Sequence, residues 1–236
     1  MIYDEHTSKQ FDAELTGVRE RVLQMGLLVE SQVRDAIAIL DGGDEQLIAR
    51  VIANDHQVNA MEVGIDETCD LIVVRRQPAA NDLRMVMAIV RIVTDLERIG
   101  DEAKNIAHAV GALPEGTRPG LLEHFTIGRD AGKALDALHT SIDNFAREDA
   151  LSAMQLIRQE SAVGEGFDYI MRLLVLEMME KPGNISSGLE TAFISRALER
   201  ICDHARNISR HVIYMVKGKD VRHVPPADIE RKILEP

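Results

Sequence analysis

Tryptophan is absent from this 236-residue chain, and aromatic residues make up 3% of it, so its interior cannot rest on large rings. Cysteine is scarce as well. Cys69 and Cys202, the two present, lie far apart and outside any CxxC pattern, which argues against a disulfide framework or a zinc knuckle and makes a reducing cytoplasm the expected compartment. No stretch approaches the roughly eighteen uninterrupted apolar residues of a membrane span. The opening MIYDEHTSKQFDAEL lacks the apolar run of a signal peptide, so any membrane role is expected to be peripheral, through partners. Basic charge is the other shortage: 27 Lys and Arg against 39 Asp and Glu leave a formal charge of -12. A phosphate backbone rewards a basic surface, so nucleic-acid binding is not expected, whereas cations and basic partner surfaces fit.

Leu, Ile, Val, Ala and Met abound beside Glu, Asp and Arg, and 45% apolar content is enough for a packed core. That mixture predicts helices packed on helices. Apolar residues recur at steps of three and four through Leu15, Val18, Val22, Met25, Val29, Val33, Ala36 and Leu40, and the pattern stops at Asp41-Gly42-Gly43. Asp44 is placed to cap a second helix running through Val51, Val58, Met61, Ile65 and Ile72 to about Arg76, and Gln77-Pro78 breaks it. A third helix carries Met85, Ile89, Ile92, Leu96, Ile99, Ala103, Ile106 and Val110.

The stretch GALPEGTRPG, Gly111 to Gly120, then reads as a boundary between halves. The pattern restarts at Gly128, Ala131, Leu135, Leu138, Ile142 and Phe145. It continues in a fifth helix over Asp149 to Lys181, breaks at Pro182-Gly183-Asn184, and ends in a sixth helix through Ile194, Leu198, Ile201, Ala205, Ile208, Val212 and Met215. The expectation is an all-α chain of six long helices, a tandem duplication of an antiparallel three-helix bundle over residues 1–112 and 118–218. Residues 219–236 are left as an extended tail or a short docking helix near Ile229 to Leu234.

The duplication is written most plainly in LERIGDEAKNI, from Leu96, and LERICDHARNI, from Leu198, which agree at eight of eleven positions. With Leu96, Ile99 and Ala103 in the seam, Glu97 and Asp101 fall together on the flank, and Glu199 and Asp203 repeat the pair. Like charges at i and i+4 cost an isolated helix about 0.2–0.5 kcal/mol, so two such pairs call for a compensating cation. Lys104 and Arg206, each three residues after the aspartate, supply one and would leave an ordinary solvated face. The second helix, however, lines Asp55, Asn59, Glu62 and Asp66 along one stripe. If that stripe faces the flank of the third helix, oxygens from two helices converge in a groove suited to a hard cation or a carboxylate-bound transition metal. No Glu-x-x-His occurs, so a ferritin-like di-iron arrangement is not supported, and the single Asp136/His139 spacing reads as a surface pair.

The run RQPAANDLRMVMAIVRIVTDLERIGDEAKNIA, Arg76 to Ala107, with its weaker echo in the second half, resembles the PhoU family of phosphate-signalling regulators. The likeness covers nearly the whole chain: two three-helix repeats, QP before the third helix, DLR at its start, and E-x-x-x-D in each half. It implies two similar bundles, commonly a homodimer, with iron, zinc or manganese bound at the surface. Glu97 and Asp101 would be ligands in the first half and Glu199 and Asp203 in the second. Asp55 and Glu160 would be the corresponding second-helix acids, joined by Glu62, with Asn59, Asp66, Asn105 and Asn207 as further candidates. The resemblance also implies a cytoplasmic adaptor, not an enzyme. It would hold the phosphate-starvation response off by contacting the ATPase subunit of the phosphate importer and a membrane sensor histidine kinase.

Departures from exact duplication carry expectations of their own. The counterparts of Asn59, Glu62 and Asp66 are Gly164, Phe167 and Met171, so the second groove is expected to bind metal less tightly. Cys202 stands where the first motif has Gly100 and reads as a small buried apolar residue. Arg84, Arg91 and Arg98, at successive sevens, form either a salt-bridged face with Asp95 or a docking surface for an acidic partner. His108, His204 and His211 lie near the motifs without a repeated spacing. Two rival classes remain: a metal-dependent phosphohydrolase, for which no nucleophile motif is present, and a metal-free structural bundle that dimerises.

Overall fold

The computed structural model describes residues 9–42, 44–113, 127–159 and 161–234, and these are almost entirely helical. α1 (Lys9–Gly42), α2 (Glu45–Arg76) and α3 (Ala80–Ala112) pack pairwise as a three-helix bundle. Their ends lie where local chemistry puts them. The Asp44 side chain accepts from the Gln46 N–H at 2.9 Å, satisfying one orphan donor of α2. Gln77 turns left-handed at φ 48 before Pro78, and its N–H closes on Val73 O at 3.1 Å. Seven turns of α1 bury Leu15, Val18, Val22, Met25, Val29, Val33, Ala36 and Leu40, as the spacing predicts. Each Leu, Val or Met among them contributes about 1.5–3 kcal/mol when fully removed from water.

The second half repeats the plan with α4 (Ile127–Arg147), α5 (Ala150–Arg158), α6 (Ser161–Glu180) and α7 (Ile185–Lys217). Asp149, the counterpart of Asp44, caps α5 by accepting from the N–H groups of Leu151 and Ser152 at 3.0 Å. The expected single fifth helix is in fact two, α5 and α6, parted at Gln159. No proline marks the break, and the seam positions after Ile157 pass to Glu160 and Gly164 before apolar residues resume at Phe167. Gly218, at φ 68, ends α7, with its N–H bonded to Tyr214 O at 2.9 Å. The tail takes the docking form: Val221 and Ile229 are buried, and α8 (Ile229–Leu234) is tied to α5 by Arg158 and Glu230 at 2.7 Å.

The halves join through α3 and α7, which share the most extensive helix contact, and through α1 with α4. At the second junction Gly26 lets α1 approach Ile142, since a Cβ there would meet three atoms of that side chain at 3.2–3.3 Å. α2 lies outside the first half and α5–α6 outside the second, each touching its own bundle. α3 and α7 run antiparallel: Asp95 meets His204 and His211, while Glu102 meets Arg200. Among the described residues no helix is long and apolar enough to cross a membrane.

Candidate functional site

The first half brings the two acid rows together. Asp55, buried on α2, and Asp101, on α3, both accept from the Lys104 ammonium, at 2.8 and 2.7 Å. Asn59 donates to Asp55 at 3.4 Å. Burial opposes the charge on Lys104, yet hydrogen bonds to Asp101 and Asp55 outweigh it and hold the ammonium above the usual lysine value. Lys104 is therefore a cation already seated between the helices, reaching beyond the neighbour on its own helix.

Around it the remaining acids repel one another. Burial, then the charges of Asp101 and Glu62, push the Glu97 carboxyl upward despite Arg98. Burial and Asp66 push Glu62 the same way, with Asp101 adding to the effect. Burial, and then Asp70, raise Asp66. Arg98 relieves part of this strain, lying 3.5 Å from Glu97 and 4.0 Å from Asp101.

Three buried oxygens in the groove, Asp55 Oδ1, Asn59 Oδ1 and Asp66 Oδ1, have no hydrogen-bond partner in the protein. Unmatched buried acceptors cost about 1–3 kcal/mol each, and a hard cation is the kind of ligand that such oxygens and crowded carboxylates accommodate. Among the described residues no three His, Cys, Asp or Glu side chains stand close enough together to hold a metal. Oxygen donors of this kind suit a hard ion in chemistry, and Lys104 is the cation that stands among them here.

Among the described residues the second half does not reproduce this arrangement. Arg196 donates to Glu199 at 2.5 Å and lies over the Phe167 ring at 5.3 Å, and Asp203 pairs with the buried Arg206 while staying half exposed. Phe167 and Met171 line α6 where Glu62 and Asp66 line α2. Glu160 lies outside the described residues. Cys202 is buried and its thiol is pushed up to about 12, foremost by burial, as expected of an inert apolar filler.

Several expected ligands and contacts lie elsewhere. Asn105 donates to Glu102 at 3.3 Å, and Asn207 reaches Asp95 at 3.5 Å, so both asparagines face the junction of the halves and not the grooves. Asp95 is the centre of that junction, with His204 Nδ1 at 2.8 Å and His211 Nε2 at 3.2 Å. Burial opposes its ionisation, but the hydrogen bonds from the two imidazoles prevail and hold it below the usual carboxylate range. Glu102, also buried, pairs with Arg200 at 2.9 Å.

Asp95 is thus no partner of the arginine row, and the row itself is divided. Arg84 donates to Asn81 and packs near Gly218, Arg91 lies over Tyr214 at 5.6 Å, and Arg98 serves the acid groove. His139 pairs with Glu30 across α1 and α4 at 3.2 Å, not with Asp136. The junction residues show no repeated spacing, and nothing short of a contact map marks them in the sequence.

A family model described as the PhoU domain matches residues 22–110 and 128–212. The chain belongs to the PhoU family. It is 41% identical over 232 residues, 98% of its own length and 99% of the relative's, to the phosphate-specific transport system accessory protein PhoU homolog of a Burkholderia species. To the accessory protein PhoU of Escherichia coli K12 it is 40% identical over 229 residues, covering 97% of this chain and 94% of that one. The crystal structure of PhoU from Pseudomonas aeruginosa superposes with a TM-score of 0.83 at 43% identity, over 89% of this chain and all of the other. That of the Streptococcus pneumoniae phosphate transport system regulatory protein PhoU gives 0.81 at 26% identity, over 89% and 99%. In this PhoU-family chain both matched segments carry an E-x-x-x-D motif, and among the described residues the first faces a second row of acids.

Proposed function

We propose that this chain is an accessory regulator of phosphate transport and a cytoplasmic adaptor, not a catalyst. It contacts the ATPase subunit of the phosphate importer and a membrane sensor histidine kinase, and it holds the phosphate-starvation response off while phosphate is plentiful. The observation that carries this reading is end-to-end similarity, at about two residues in five, to relatives named as phosphate transport accessory proteins. The test is deletion of every copy of the gene. Starvation genes then switch on in high phosphate and are silenced again by the wild-type chain; repression that survives the deletion overturns the assignment.

The metal part of the reading rests on the first groove. Asp55, Glu62, Glu97 and Asp101 would hold the ion, with Asn59 and Asp66 beside them. A bound iron, zinc or manganese ion would neutralise the facing carboxylates and tie α2 to α3. Titration calorimetry with each metal checks it: the wild-type chain takes up ion, and Glu62→Ala/Glu97→Ala/Asp101→Ala does not. Uptake equal to wild type in that variant places the ligands elsewhere.

A further inference from the structure

Arg206 takes the place of Lys104 in the second copy of the motif, but its surroundings differ. Lys104 is held by carboxylates from two helices, whereas Arg206, 4% exposed, donates to Asp203, a half-exposed carboxylate one turn back on its own helix. The Arg206 Nε is buried without a partner. A guanidinium N–H taken out of water and left unmatched is costly, so an orphan donor there marks a place where an acceptor belongs.

Arg206 lines a cleft of about 320 Å³ between α4, α5 and α7. α4 contributes Lys133, Asp136 and Thr140, α5 contributes Gln159, and Cys202 stands beside Arg206 on α7. Lys133 is peculiar to this half: with Met25 laid on Ala131 and Val29 on Leu135, its counterpart in α1 is the exposed Leu27. The wall therefore carries two cations against the one carboxylate of Asp136. Asp203 and Asp130, the latter 3.7 Å from Lys133, temper those charges without lining the cleft.

Size and chemistry narrow the occupant. A water takes up about 30 Å³ of liquid, so the cleft has room for about ten, at the small end of the roughly 300–1,000 Å³ of ligand sites. A guanidinium and an ammonium suit an oxyanion, and the guanidinium fork matches carboxylate and phosphate alike. Asp136 calls for a hydroxyl donor on the same molecule, and Leu156 gives its carbon atoms an apolar contact.

We propose that the second bundle binds a small organic oxyanion, a hydroxy acid or a hydroxyl-bearing phosphate monoester, in this cleft. Arg206 and Lys133 take the anionic group and Asp136 accepts from the hydroxyl. The site depends neither on the acid groove nor on a role in phosphate regulation.

Titration calorimetry of the full chain in chelator, with malate, glycerol 3-phosphate and inorganic phosphate in turn, tests it. At least one of the two organic anions binds one-to-one with a Kd of about a millimolar or tighter. Inorganic phosphate, which leaves most of the cleft to water, binds about tenfold more weakly or worse. Malate alone assigns a hydroxy acid, and glycerol 3-phosphate alone a phosphate ester. Arg206→Lys keeps the charge, loses the fork and weakens binding about tenfold, the scale of one charge-assisted hydrogen bond. Two further variants decide the matter should buried Arg206 prove necessary for folding. Ala137→Leu fills the cleft from α4 and abolishes binding in a chain of unchanged helicity, and Lys133→Gln weakens binding about threefold or more. A wild-type chain that takes up neither organic anion overturns the site, as does binding unchanged in Ala137→Leu and Lys133→Gln. Inorganic phosphate binding as tightly as the organic anions overturns the choice of ligand.

Discussion

Lys104 holds two carboxylates that come from different helices, and its place in the groove can be weighed against that of a metal ion. Its pairing with Asp101 is legible in the sequence at i and i+3, whereas its reach to Asp55, 49 positions away, is not. Lys104→Gln leaves buried Asp55 without its charged donor, a loss of about 1.5–3 kcal/mol that a lowered urea midpoint in chelator measures. The same variant gains more thermal stability from added manganese or zinc than the wild type does, because the ion meets no ammonium; equal gains would show that Lys104 and metal do not compete.

Glu97 yields a second prediction at this scale. A carboxyl raised in the folded state binds its proton more tightly there than in the unfolded chain, so its ionisation costs stability as pH rises from the ordinary carboxylate range. Glu97→Gln in chelator therefore raises the melting temperature by about 1–2 °C near pH 7, the scale of one like-charge helix pair. The gain disappears at about pH 4, where the wild-type acid carries its proton. A gain that persists unchanged in acid would contradict the repulsion.

At the scale of whole helices, seams such as Val22, Met25 and Val29 in α1, or Ile99, Ala103 and Ile106 in α3, stand in the sequence because burial by apolar residues leaves a period. The junction of α3 with α7 leaves none. It is built on Asp95, Glu102, His204, Asn207 and Arg200, residues that read as solvated surface until a partner helix satisfies them. The acid groove lies between these cases, since its two rows are visible but their convergence is a matter of packing. Asp95→Ala removes the acceptor shared by two imidazoles and leaves their ring N–H groups unpaired. The expected cost is therefore that of orphaned hydrogen-bonding groups, about 1–3 kcal/mol, read from denaturant midpoints at neutral pH. A variant as stable as wild type would reduce the Asp95 cluster to incidental contact.

The whole molecule has its two bundles back to back, with the inner helices sharing polar contacts to the buried Asp95 and Glu102 carboxylates and the outer helices, α2 and α5–α6, each held by one bundle alone. Coupling of that kind predicts that urea unfolds the chain in one step, with circular dichroism and chemical shifts from both halves changing together. Two resolved transitions would mean that the bundles are independent. The duplication is legible because seams and the E-x-x-x-D motif recur, whereas the division of the fifth rod into α5 and α6 is not. The unequal grooves are legible only in outline: Phe167 and Met171 announce lost oxygens, but the arginines over Glu199 and Asp203 do not announce where they turn.

The antiparallel seating of α3 on α7 also bears on how the chain is made. At about 5–20 residues per second, α7 leaves the ribosome on the order of ten seconds after α3. During that interval Asp95 and Glu102 have no counterparts, and the newly made first half displays a half-built polar face. A prematurely terminated product would keep that face for good, able to capture the α7 of a complete neighbour while it is still being folded.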